Sequence, residues 1–303
     1  MTLTNFKRLT AGLSALLVMV ITLTSCGGSG KQENDTPSGD EKTGPRSVEK
    51  DTLVQTIFYS VPSPMETASL IQKTGVPYNK DYLNDVHNVS KYTTTGSKAL
   101  NLGVYGSDLS FTSIYDQTQE SMLYLKCANN LSGSLGISNA FGEETANRLD
   151  ANKNNKDSLM SIISESFWQA DSYLKENERP GTSSLIIAGG WIEAVYIATK
   201  IEESSKNKEV IIRIAEQKFT LENLVKMLKR YSSDPTVADV YKDLTDLKTV
   251  YDQISVVKAN SAASKDPKTG VTTIGSKGKL NITEEQLKSI SEKMQVLRTK
   301  ITK

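Results

Sequence analysis

The chain has 303 residues with 36 Lys plus Arg against 35 Asp plus Glu, a net charge of +1 at neutral pH, one histidine and two cysteines. No segment carries the dense basic stripe that a phosphate backbone requires, so nucleic acid is not an expected partner. A single histidine, His87, removes most His-dependent chemistry and most zinc constellations. The two cysteines cannot build a disulfide framework.

The first 25 residues divide into three parts. Lys7 and Arg8 give a positive start without any acid, and Ala11 to Leu23 is a short apolar stretch. Leu23-Thr24-Ser25 then places small residues directly before Cys26. This order is that of a secretory signal, and its apolar core is too short for an ordinary membrane span. The Leu-x-x-Cys ending resembles the lipobox of bacterial lipoproteins. The resemblance implies that the Cys26 thiol receives a diacylglycerol, that the signal is cleaved before Cys26, and that the new amino group is acylated with a chain such as palmitate. Each buried CH2 contributes roughly 0.8 kcal/mol, so two or three chains anchor stably. Residue 27 is Gly where lipoproteins retained in the inner membrane commonly carry Asp. The expected address is therefore the outer membrane, facing the periplasm or the cell surface. Removing Lys7 and Arg8 with the signal leaves 34 basic against 35 acidic residues.

Residues 26–51 follow as a polar segment with a single aliphatic side chain, Val48. Such a stretch cannot bury enough apolar surface to offset its ordering entropy, and it reads as a disordered tether. A flexible coil of about 25 residues reaches roughly 28 Å. Residues 52–303 then suffice for one substantial core, with a division into two subdomains near Ser204 to Lys208 as an alternative.

The pattern beyond the tether is helical nearly throughout. Expected helices lie near 64–74, 79–87, 96–115, 117–133, 143–151, 158–177, 182–204, 208–217, 221–231, 235–260 and 284–301. Ser63-Pro64-Met65-Glu66 offers a capping Ser, a Pro at N1 and a Glu at N3. Asp234-Pro235 repeats that logic, and Thr283 to Gln286 forms another capping box. Asp157 and Thr220 are expected to cap helices starting at Ser158 and Leu221. Helices joined by short polar turns fold back on each other, so the fold class is all-α, an antiparallel multi-helix bundle. The exception is one small β-hairpin near 270–282, where Val271 to Ile274 and Leu280 to Ile282 flank Gly275-Ser-Lys-Gly278.

Two helices are unusual. Ala99, Gly103, Ser107 and Ser110 form a small-residue stripe with Gly106 beside it, and Leu185 to Ala198 is almost wholly apolar except for Glu193 and the pair Gly189-Gly190. A mid-helix Gly costs about 1 kcal/mol relative to Ala, so something must offset it. Close approach of the two helices is one offset, and space for a ligand between them is the other. A pocket there is expected to be reached by Asp108, Glu193, Trp191 and Tyr105. An unpaired buried carboxylate is costly, so Glu193 must be protonated, face a wet cavity, or pair with a cation such as Lys98 or Arg148. Asp108 and Glu193 together are the residues an acid–base enzyme would use.

Asp150, Asn152, Asn154 and Asp157 place oxygens at the spacing of a calcium loop. Asn155 stands at the usual Gly and Ser161 where a bidentate Glu belongs, so the alternative is a polar interhelical turn. Leu123, Cys127 and Leu131, spaced by four, mark a buried helical stripe and a cysteine that acts as a small hydrophobe. Trp168, Tyr115 and Tyr196 read as core aromatics. The segments Tyr59 to Glu66, Leu100 to Leu109 and Gly189 to Glu193 resemble all-helical bacterial lipoproteins without assigned activity, so the resemblance transfers no activity to this chain.

From these features the expected role is a membrane-anchored, non-enzymatic binding or scaffolding lipoprotein with an envelope protein as partner and no cofactor. The alternatives are a small-molecule carrier or sensor with a pocket between the Gly-bearing helices, and an enzyme using Glu193 and Asp108. The charged helices 235–260 and 284–301 are the expected partner-facing surface.

Overall fold

The computed structural model describes residues 64–257, 264–265, 272–273 and 279–303. The expected signal segment, the expected tether and the expected Ser63 cap lie outside the described residues. Among those described, nine α-helices occur: α1 (Pro64–Gln72), α2 (Thr95–Ile114), α3 (Thr118–Ser134), α4 (Glu143–Ala151), α5 (Lys156–Glu176), α6 (Pro180–Ser205), α7 (Lys208–Lys229), α8 (Pro235–Asp252) and α9 (Glu284–Thr302). The fold is an all-α antiparallel bundle with two small strand pairs, and the described residues fall in one compact unit. No subdomain division appears at Ser204–Lys208. There the chain turns through Lys206 in the left-handed region (φ 51°), and α7 folds back onto α6.

The helix starts follow local chemistry. Asp234 accepts from the Thr236 amide at 2.9 Å ahead of Pro235. Thr283 and Gln286 form a reciprocal capping box at the head of α9. Each such cap removes an orphan amide, worth about 1 kcal/mol.

Several expectations are corrected. The segment 79–87 is not an α-helix but two short 3-10 turns, Lys80–Tyr82 and Val86–Lys91, each started by an Asx side chain at Asn79 and Asp85. Helices 208–217 and 221–231 are one continuous helix. Thr220 is buried inside α7 and caps nothing. Asn155, not Asp157, caps α5, its Oδ1 accepting from the Ser158 amide at 3.0 Å. Helix 235–260 stops at Asp252, after which Ser255–Val257 forms β1. The strands β2 (Ser264–Lys265), β3 (Thr272–Thr273) and β4 (Lys279–Asn281) complete two antiparallel pairs, β2 with β3 and β1 with β4. The sequence pairing of 271–274 with 280–282 is thus replaced by two partners further upstream.

At the bundle centre α2 and α6 form the most extensive helix pair, with α1, α3, α5, α7 and α9 packed around them. Every residue of α2 from Ala99 to Ile114 is buried. Helix α6 is long and apolar enough to cross a membrane by composition, yet 89% of its most apolar window is buried inside the fold, so it is the core helix. Lys218 on α7 caps the C-terminal end of α8, donating to the carbonyls of Tyr251, Asp252 and Ile254 at 3.0, 3.0 and 2.8 Å.

Candidate functional site

The contact of α2 with α6 is made by backbone. A Cβ added to Gly103 would stand 2.0 Å from the Ile186 carbonyl oxygen and 2.5 Å from the Gly190 amide. A Cβ on Gly189 would stand 1.9 Å from the Leu100 carbonyl oxygen. The glycines therefore serve close approach, and the space their missing side chains leave is filled by the opposing main chain rather than by a ligand pocket. Gly106 faces elsewhere, with the Phe167 ring of α5 seated over it.

One turn beyond this contact lies a buried charged cluster. Glu193 on α6 and Asp108 on α2 are both 0% exposed. Arg298 of α9 grips Glu193 in a bidentate pair, Nε to Oε2 at 3.1 Å and Nη2 to Oε1 at 3.0 Å, and lies over the Tyr196 ring 4.8 Å from its centroid. A guanidinium fork matched to a carboxylate and stacked on a ring is the geometry that best repays burying both charges. The expected partners Lys98 and Arg148 are not used. Arg148 pairs with Glu165 at 2.6 Å near the surface.

Asp108 receives the Asn84 amide on Oδ2 at 3.2 Å, while its Oδ1 meets no donor among the described residues. Burial drives the Asp108 carboxyl well above the usual carboxylate range, and the neighbouring Glu193 charge pushes it the same way. Burial also raises Glu193, against the pull of Arg298. Both influences favour the protonated form of Asp108, the acid without a cation in contact, in its side-chain hydrogen bond with Glu193, while the guanidinium favours the ionised form of Glu193. Arg298 is pulled down by burial but raised further by Glu193, and stays charged. With a neutral Asp108 the cluster has no net charge, and the Asp108 carboxyl is the donor in its side-chain hydrogen bond with Glu193.

Around it, Asn84 donates to the Tyr92 hydroxyl at 3.0 Å and Tyr105 donates to the Asp85 carbonyl at 2.8 Å. Tyr92 and Asn101 reach the last carbonyls of α9, Thr302 at 3.2 Å and Ile301 at 2.7 Å. The polar groups therefore form a seam along which α9 is fastened to α2 and α6.

Of the four residues expected to line one pocket, Asp108 and Glu193 meet, Tyr105 turns toward the segment at Asp85, and Trp191 faces away. The Trp191 indole donates to Gln217 of α7 at 2.9 Å. Trp168, expected in the core, is 50% exposed, and so is Leu123, so the stripe that buries Cys127 and Leu131 runs instead through Tyr124. The Cys127 thiol donates to the Val86 carbonyl at 3.6 Å, and burial pushes it up to about 11, which leaves it an unreactive thiol at neutral pH. His87 lies on the surface beside Asp85 at 2.7 Å.

In the Asp150 to Asp157 turn the side chains serve the chain itself. Asp150 pairs with Lys153 at 3.5 Å, and Asn152 donates to the Arg148 carbonyl at 2.8 Å. Among the described residues no group of three or more His, Cys, Asp or Glu side chains is placed to hold a metal ion.

A concavity lies on the surface between α8 and α9. It has a volume of about 340 Å³ and is bordered by Asp243, Asp246, Glu292, Lys293, Val296 and Lys300. Lys300 pairs with Asp243 across it at 2.6 Å, and Val296 is 69% exposed. Sequence reasoning anticipated a charged face on these two helices but not a groove, because their packing angle leaves no trace in local periodicity.

No protein-family model, curated protein or solved structure matches this chain.

Proposed function

We propose that this chain is a lipid-anchored, non-enzymatic binding or scaffolding protein of the cell envelope. It is held on the membrane through acylated Cys26 and presents its helical bundle to an envelope protein partner. The observation that carries the reading is the order of Lys7-Arg8, the apolar stretch Ala11 to Leu23, and Leu23-Thr24-Ser25-Cys26, followed by the polar run of residues 27–51.

The bundle is consistent with a binding role rather than turnover. Its buried acids are engaged in fastening α9, and the two central helices meet main chain to main chain. The partner surface belongs on the outside, where the groove between α8 and α9 is a concavity bordered by charged side chains. The address is the outer membrane, facing the periplasm or the cell surface.

The test is metabolic labelling with palmitate followed by membrane fractionation of the parent chain and of Cys26→Ala. The reading expects label and membrane association in the parent, with both lost in the variant. Equal membrane association of the two, without label in either, refutes it.

A further inference from the structure

The polar seam does more than satisfy hydrogen bonds, because it crosses between two parts of the fold with different claims to stability. Helices α2 and α6 are fastened by their own backbones. Helix α9, in contrast, joins them through Arg298, through the carbonyls of Ile301 and Thr302, and through an apolar face of Leu287, Ile290, Met294 and Leu297. Arg298 is the cation that draws the Asp108 carboxyl back toward its ionised form.

We propose that α9 is a proton-keyed latch: it stays docked while Asp108 holds a proton for Glu193, and it loosens from the α2–α6 pair when that proton is lost.

The reasoning is a charge balance. With Asp108 neutral, the single guanidinium matches the single Glu193 carboxylate. When the proton leaves Asp108 for solvent, two fully buried carboxylates share one guanidinium, which is already committed to Glu193. Asp108 Oδ1 then has no donor at all, and Glu193 loses the one that Asp108 supplied. The groups facing Asp108 from the other elements give no relief. Glu193 on α6 is an acid. Tyr124 and Cys127 on α3 and Tyr78 after α1 are weak acids that burial keeps neutral, as are Tyr105 on α2 itself and Tyr92 beside Asn84. Repulsion in a dry site is relieved by admitting water. Of the three helices that meet here, α2 and α6 are locked main chain to main chain, so the rearrangement falls on α9, which brings the cation and ends on the seam.

The experiment is hydrogen exchange by mass spectrometry on the intact protein through a rising pH series. Peptides from α9, α2 and α6 are compared in the parent and in Asp108→Asn at each pH, which cancels the intrinsic dependence of exchange on pH. An Asn at 108 keeps an acceptor for the Asn84 amide and supplies a permanent donor to Glu193. The proposal expects α9 protection in the parent to fall relative to the variant by up to about tenfold per pH unit once Asp108 begins to ionise. Protection of α2 and α6 should hold over the same range. It is overturned if α9 in parent and variant keeps a constant ratio, or if α2, α6 and α9 lose protection together, which would mark global unfolding. If Asp108→Asn does not fold, the parent alone decides. A carboxylic-acid carbonyl band in its infrared spectrum must disappear over the pH range in which α9 protection falls relative to α6. A band absent throughout, or one whose loss leaves α9 unchanged, overturns the proposal.

Discussion

Replacing Gly103 by Ala should destabilise the protein even though alanine is the better helix former. The added Cβ lies 2.0 Å from the Ile186 carbonyl oxygen, where ordinary contact needs roughly 3.4 Å, and the obstacle is main chain that cannot rotate aside. The α2 and α6 axes must therefore part by more than 1 Å, about 1.4 Å, which thins the dispersion contacts along the whole helix pair. Overpacking of this kind costs typically 1–3 kcal/mol, and with immovable backbone on one side we expect the top of that range. Subtracting the roughly 1 kcal/mol gained in helix propensity leaves a net loss of about 2 kcal/mol. Gly133 supplies the matched control. It lies in the last turn of α3, and a Cβ there meets nothing within 4 Å, so Gly133→Ala should be neutral or gain a few tenths of a kcal/mol. Urea unfolding followed by far-UV circular dichroism measures both. A Gly103→Ala protein as stable as the parent would refute the close-approach argument.

Four further outcomes follow from the buried groups. Glu193→Gln leaves Arg298 charged and 14% exposed without its partner carboxylate, and should cost about 3–5 kcal/mol. The double variant Glu193→Leu with Arg298→Met should be markedly more stable than the sum of its single changes, and strict additivity in that cycle would mean the pair does not interact. Asp108→Asn should be stabilising, with an advantage that grows with pH. Because the folded-state carboxyl is raised, its contribution is fully present below pH about 4 and is lost as pH rises toward its folded value, whereas Asn does not titrate. A parallel offset between the two stability curves at all pH values would contradict that. Tyr251→Phe removes a buried hydroxyl that has no partner among the described residues and should be neutral or gain up to about 1 kcal/mol. A loss above 2 kcal/mol would show that the hydroxyl is bonded after all.

The features legible in the sequence are those decided by neighbours along the chain. The caps at Asp234 and Thr283 were readable because donor and acceptor lie within three residues. The meeting of Gly103 with Gly189 was readable because a mid-helix glycine is costly and two helices shared that cost. Where local signals competed, the reading slipped. Thr220 offers an oxygen that suits a cap, yet apolar spacing continues through it and α7 runs on. Asp157 and Asn155 both suit the head of α5, and the one placed three residues before Ser158 captures its amide. Glu193 was marked as a buried acid needing a partner, but its cation stands 105 residues away. No spacing rule relates Glu193 to Arg298, nor Asp108 to either. Only the docking of α9 brings them together, so the chemistry of the cluster is a property of the tertiary fold.

The proposed function stands most directly on the state of Cys26. Intact and fragment mass spectrometry of the protein purified from the cells that make it would read that state. The account predicts a chain that begins at Cys26 and carries the added mass of a diacylglyceryl group together with an amide-linked acyl chain. A chain that retains residues 1–25, or one that begins at Cys26 with an unmodified thiol, would contradict it.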